Sequence, residues 1–158
     1  MRCLLGNKEN KTLKQYVEDI FKESILSIES SSFFPKIIAK KGHVEVVWPM
    51  LSREDTVYKI NRLRELNVDY IILAFEAKLR ILDKTKAKEY LKDYKYGKIH
   101  NDASSKDALV VIGFSKSGKV YAKSHEVLIF ESGIKKVDRE IPFKIDKIEG
   151  FLIPSPWG

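Results

Sequence analysis

Residues 70–81 read YIILAFEAKLRI. On an extended strand, side chains alternate between faces. Ile71, Leu73, Phe75, Ala77, Leu79 and Ile81 therefore share one apolar face, and Tyr70, Ile72, Ala74, Glu76, Lys78 and Arg80 share the other. The second face is apolar at its start and charged from Glu76 onward. A segment whose first half is apolar on both faces predicts a central, buried strand. The charged second half raises the question of what a glutamate and a lysine two residues apart do there.

The flanking sequence supplies partners for this strand. Upstream, KTLKQYVEDIFKESILSIESS places Leu13, Tyr16, Val17, Ile20, Phe21, Ile25 and Ile28 on one helical stripe, which predicts a long amphipathic first helix. FPKIIAKKGHVEVVWPM reads as two short strands around a Lys41-Gly42 turn. Ser52 followed by Asp55 is a capping signal for a second helix, with Val57, Ile60, Leu63 and Leu66 inward and Asn67 as its stop. Downstream, ALVVIGF, KVYAKSHEVLIF and IKKVDREIPFKI predict three more strands in a meander, turning at Ser117-Gly118 and Ser132-Gly133. The expected fold is α+β: one largely antiparallel sheet with two helices packed on a face, as a single domain over residues 1–158. Residues 83–107 stand out as a basic insertion containing a short helix near Lys86–Tyr94, and residues 150–158 as an irregular tail.

At 158 residues the chain is long enough for one domain with a substantial core. Its 29 Lys and Arg against 22 Asp and Glu leave a net charge of +7, which suggests a polyanionic partner. A solvated Lys/Glu surface is the competing explanation. Within residues 84–106, seven lysines face Glu89, Asp93 and Asp102, a local excess of +4. Tyr90, Tyr94 and Tyr96 are interleaved among those lysines, the pattern of a loop that tracks a nucleic-acid backbone. Lys84, Lys86, Lys88, Lys92, Lys95 and Lys98 are the candidate phosphate contacts. Cys3 is the sole cysteine, which excludes an intrachain disulfide and a multi-cysteine zinc site. With neither a signal-peptide core nor an apolar span, a soluble, intracellular protein without membrane contact is expected.

Two motif readings fail on their chemistry. GFSKSGKV (113–120) nearly spells a phosphate-binding loop, but Val120 stands where magnesium needs a hydroxyl, and the alternation beyond it is that of a strand. The same stretch lacks the final glycine of a serine-hydrolase elbow. His43 and Glu45 would share a face of the first hairpin and could jointly touch a metal, although a solvent-facing polar pair is the commoner arrangement.

Glu76-Ala77-Lys78 has more chemistry in it. The i, i+2 spacing puts a carboxylate and an ammonium on one face. The carboxylate can hold Mg²⁺ or Mn²⁺ beside a phosphodiester while the lysine steadies developing charge. A hydrophobic strand ending in E-x-K after a helix and a hairpin resembles the PD-(D/E)xK nuclease superfamily, with Glu76 and Lys78 as the matching residues. The resemblance implies metal-dependent phosphodiester hydrolysis with Glu76 and Lys78 as catalytic residues. The preceding strand ends VEVVWP rather than in Pro-Asp, and a second helix intervenes before the E-x-K strand, both departures from that pattern. The second metal carboxylate would then be Asp107 or Glu45. The competing reading is a cross-strand ion pair at the end of a core strand.

VDYIILAFEA, a polar insertion and SSKDALVVIGFSKSGKV also look like a family of small, uncharacterised phage, viral and microbial proteins. That resemblance places Glu76 at the family's Glu-Ala position and Lys106-Asp107 at its charged step, and implies a shared fold. Lysine-rich α+β chains of this size are similar to accessory proteins of archaeal viruses, some of which are nucleases, which would place this one in a host cytoplasm. The sequence thus leads to a small basic DNA-binding protein with metal-dependent nuclease activity. Its alternatives are a non-catalytic nucleic-acid-binding domain and a viral or phage accessory protein that binds a host protein. A homodimer is among the expected assemblies.

Overall fold

The computed structural model describes residues 11–79, 84–92 and 103–141. Cys3, Lys95, Lys98, Tyr94, Tyr96 and the tail 150–158 lie outside them. The order is α1 (Leu13–Glu29), β1 (Lys36–Lys41), β2 (Val44–Pro49), α2 (Arg53–Glu65), β3 (Tyr70–Leu79), α3 (Lys84–Lys92), β4 (Lys106–Ser115), β5 (Val120–Ile129) and β6 (Lys135–Glu140). The strands form one six-stranded sheet in the spatial order β2-β1-β3-β4-β5-β6, every neighbouring pair antiparallel. This is the α+β, single-sheet domain that the patterning predicts.

Strand β3 is central, between β1 and β4, and Ile71, Ile72, Leu73 and Ala74 are buried on both its faces. Helices α1 and α2 pack on opposite sides of the sheet, where the patterning predicts both on one face. On one side Leu13, Val17, Ile20, Phe21 and Ile28 of α1 pack over Ile38, Ile72, Ala74, Leu109 and Val111. On the other, Ile60 and Leu63 of α2 pack over Ile37, Ala39, Ile71, Leu73 and Phe114. The alternation of strand side chains makes this possible, since Ile71 and Leu73 serve one core while Ile72 and Ala74 serve the other.

Local signals set the element ends. Thr12 caps α1: its side chain accepts from the Gln15 N–H, while the Gln15 side chain accepts from the Thr12 N–H. Ser52 caps α2 by accepting from the Asp55 N–H. The Asp55 carboxyl is held below its ordinary range, chiefly by its hydrogen bond from Lys59, and also accepts from the Leu51 N–H. Asn67 ends α2 in the left-handed region at φ 57°, a conformation asparagine tolerates. The inward side of α2 differs from its periodic reading at Val57, which is only half-buried, and at its C-terminal end. Leu66 caps the helix and is exposed, and Val68 beyond the Asn67 turn is buried instead. Thr56 is also buried, its hydroxyl donating to the Ser52 carbonyl.

The GFSKSGKV segment forms the β4–β5 turn. The Ser115 N–H donates to the Lys119 carbonyl, and Gly118 has φ 92°. Gly113, just before it, has a different role. A Cβ there would lie 2.6 Å from Val17 Cγ2 and 2.7 Å from Leu13 Cδ1, so these two α1 side chains rest directly on the Gly113 backbone. Gly113→Ala should therefore lift the N-terminal turns of α1 and cost about 1–3 kcal/mol of unfolding free energy in urea titration. At Gly42, where nothing lies within 4 Å, a new side chain meets only the strain of φ 58°.

Candidate functional site

The charged half of β3 emerges on the α1 side of the sheet. Register places Glu76 opposite Leu109 and Lys78 opposite Asp107, so Glu76, Lys78 and Asp107 share that face. Phe75 and Ala77 point to the other face, where they join Ala108, Val110 and Ile141 in a third apolar cluster. The alternation read from the sequence therefore holds through the E-x-K step.

Each charge has a partner. Lys78 Nζ lies 3.0 Å from Asp107 Oδ1, an ion pair between directly opposite residues. Lys135, on the outermost strand β6, donates to both Glu76 carboxylate oxygens at 3.2 and 3.0 Å. The Glu76 and Lys135 side chains are about one-third exposed, so solvent screens the pair and its contribution is that of a surface salt bridge. On the opposite face at the same end of the sheet, Glu126 lies 3.8 Å from Lys106 and 3.4 Å from Arg139. Ion pairs thus flank the sheet on both sides where its apolar strands run out.

Asp107 is one diagonal step from Glu76, roughly 7–8 Å between backbones in an antiparallel pair. Glu45 is elsewhere. Its partner Lys40, at 2.6 Å, stands opposite Tyr70, six residues back along β3. At about 3.3 Å per residue that is roughly 20 Å from Glu76, too far to share an ion. Among the described residues no group of three or more His, Cys, Asp and Glu side chains is arranged to hold a metal. His43 lies in the β1–β2 turn and is exposed, next to the strand that carries Glu45. Lys84 opens α3, and Lys86, Lys88 and Lys92 on the same helix are exposed.

Two residues that the sequence does not single out belong to this region. Lys135 is 59 residues from Glu76, and the β5–β6 hairpin brings it there. His125 stands opposite Leu109, on the α1 side. Its Nδ1 is 2.8 Å from the Asp138 carbonyl oxygen and its ring is 4.8 Å from that of Phe21. The carbonyl can only accept, so Nδ1 carries the proton in this contact. Nε2 is then left as an acceptor, buried and without a hydrogen-bond partner among the described residues. Farther along the sheet, opposite Gly113, burial and the Glu18 carboxylate raise the pKa of the Tyr121 hydroxyl above its ordinary value, and that hydroxyl donates to Glu18 at 3.3 Å.

Comparison with protein-family models, curated proteins and solved structures finds no match. The functional reading therefore rests on the residues themselves.

The ion-pair account of Glu76 has a direct measure. In a double-mutant cycle of Glu76→Gln and Lys135→Ala, unfolding free energies should show a coupling of about 0.2–1 kcal/mol that shrinks as salt is raised. A coupling near zero would mean that the two side chains do not interact in solution.

Proposed function

We propose that this chain is a small basic nucleic-acid-binding domain that holds the phosphate backbone through the lysines of residues 84–106. The observation that carries the reading is helix α3, where Lys88 and Lys92 are exposed and one turn apart, with Lys84 one turn earlier in the chain. Residues four apart on a helix share a stripe, and a stripe of ammonium groups suits a polyanion better than a mixed-charge surface does. DNA is the favoured ligand. Salt dependence is the diagnostic test, because each phosphate contact releases condensed counterions. Binding of a duplex oligonucleotide should weaken steeply as salt rises. Lys88→Ala with Lys92→Ala should flatten the logarithmic slope by about one unit per lost contact. An unchanged slope in a folded double variant would assign these lysines to solvation.

A second reading adds metal-dependent phosphodiester hydrolysis, favoured by the placement of Glu76, Lys78 and Asp107 on one face. In it Glu76 and Asp107 would hold Mg²⁺ or Mn²⁺, with Lys78 beside the scissile phosphate. Both carboxylates would first have to exchange a lysine for the ion. Glu76→Gln removes the anionic oxygen that a hard cation requires. The reading expects metal-dependent cleavage of linear duplex DNA by the parent protein, and loss of cleavage with binding kept in Glu76→Gln. Cleavage that survives in the folded variant, or in the presence of chelator, would exclude Glu76 as a metal ligand.

A further inference from the structure

Among the described residues the sheet has two open edges, and they differ in chemistry. β6 reads KKVDRE, so five of its six side chains are charged, the usual protection of an exposed edge against pairing. β2 reads VEVVWP, and its one charged residue, Glu45, is already bonded to Lys40 on the neighbouring strand. Val44 and Val47 on this edge are 62% and 47% exposed. Phe34 and Leu51, just before β1 and just after β2, are also exposed.

The backbone of β2 shows which groups are free to pair. The Met50 N–H donates to the Pro35 carbonyl of the adjoining strand. Antiparallel ladders alternate residue by residue, so Trp48, Val46 and Val44 also turn their polar groups toward β1. Glu45, Val47 and Pro49 turn theirs outward. Proline falls where the missing N–H faces away from the sheet, the position an edge strand tolerates. The outward row thus keeps the donors and acceptors of Glu45 and Val47 and the acceptor of Pro49.

The geometry points to a second copy of this chain as the occupant of that edge, joined by antiparallel β2–β2 pairing about a two-fold axis at Val47. Each Val47 then exchanges both backbone hydrogen bonds with the partner's Val47, and each Glu45 N–H meets the carbonyl of the partner's Pro49. Val46 falls opposite the partner's Trp48, an aromatic–β-branched pair of the kind that stabilises sheets. Charge complementarity selects this register. Lys36 stands opposite Pro49 on β1, so Glu45 comes onto the same face as the partner's Lys36. Among the described residues Lys36 has no carboxylate partner, its ammonium lying 5.2 and 4.6 Å from the Phe33 and Phe34 ring centres. A register centred on Glu45 would oppose two like charges, and one centred on Val46 would set Glu45 beside an isoleucine. The resulting twelve-stranded sheet buries both apolar edges and keeps the charged β6 edges outermost.

The test uses the full chain, freed of nucleic acid by nuclease treatment and high salt, and studied by sedimentation up to roughly 100 μM, where even a weak self-association is populated. The parent protein should sediment as a dimer. Val47→Lys should raise the dimer dissociation constant by about a hundredfold or more, since it opposes two ammonium groups at the axis, with circular dichroism unchanged. Lys36→Glu should raise it about tenfold. Opposed residues at the axis have Cα atoms about 5.5 Å apart, within disulfide range. Val47→Cys in a Cys3→Ser background should therefore form a cross-linked dimer on oxidation. A parent protein that stays monomeric throughout this range would overturn the proposal. So would a dimer that persists in folded Val47→Lys, or a Val47→Cys chain that does not cross-link.

Discussion

The contact between α1 and Gly113 sets the spacing of the α1 side of the molecule. Leu13 and Val17 reach to within 2.7 Å of where a Cβ would be, so α1 seats these two side chains directly on the sheet backbone at this point. That close approach lets one helix bury residues from β1, β3, β4 and β5 together. Close-packed interiors transmit such a displacement to every neighbour. A helix raised over Gly113 would loosen Ile20 and Phe21 above the central strands. It would also disturb the Phe21–His125 contact near the β5 bulge, where the pairing with β6 shifts register between His125 and Val127. His125 stands in the same cross-strand row as Glu76 and Leu109, and Lys135 reaches Glu76 from the strand beyond that bulge.

Most of this architecture is legible in the sequence because it follows periodicity. The stripe from Leu13 to Ile28 predicts both α1 and the residues it buries. The double-sided apolar run Ile71–Ala74 predicts the centre of the sheet, and Gly42, Gly118 and Gly133 mark its turns with positive φ. Leu66 was not legible, because periodicity alone cannot say that the helix ends one residue before it. The division of the helices between two faces departs from the expected packing of both on one face, and the reason is physical. A central strand apolar on both faces needs a cover on each, and the chain offers one amphipathic helix before the first hairpin and another after it.

The candidate site was legible only as far as the pleat. Alternation fixes which face Glu76 and Lys78 occupy, and β3–β4 pairing makes Asp107 the natural neighbour of Lys78. It says nothing about Lys135, whose approach depends on the curvature of a hairpin far along the chain. A carboxylate and a lysine two residues apart are therefore ambiguous in sequence. The same spacing serves a metal site when a second carboxylate faces the first, and a pair of cross-strand ion pairs when each charge meets its opposite. Here Glu76 meets Lys135 and Asp107 meets Lys78.

The distribution of positive charge bears on where a polyanion would be held. On the sheet and α1, cations are largely engaged. Lys11, Lys40, Lys78, Lys106 and Lys135 pair with carboxylates. Lys14, Lys36 and Lys123 lie over aromatic rings, where the ring quadrupole partly offsets their charge. Of the net +7, residues 84–106 carry +4, leaving +3 over the rest of a much longer chain. A field that attracts phosphate depends on local density of uncompensated charge more than on the total. The scaffold pairs many of its charges across strands, whereas α3, between β3 and β4 in the chain, presents Lys88 and Lys92 to solvent. On the proposed reading, a nucleic acid would therefore be held first by the exposed lysines of α3, where no ion pair competes for Lys88 or Lys92 among the described residues.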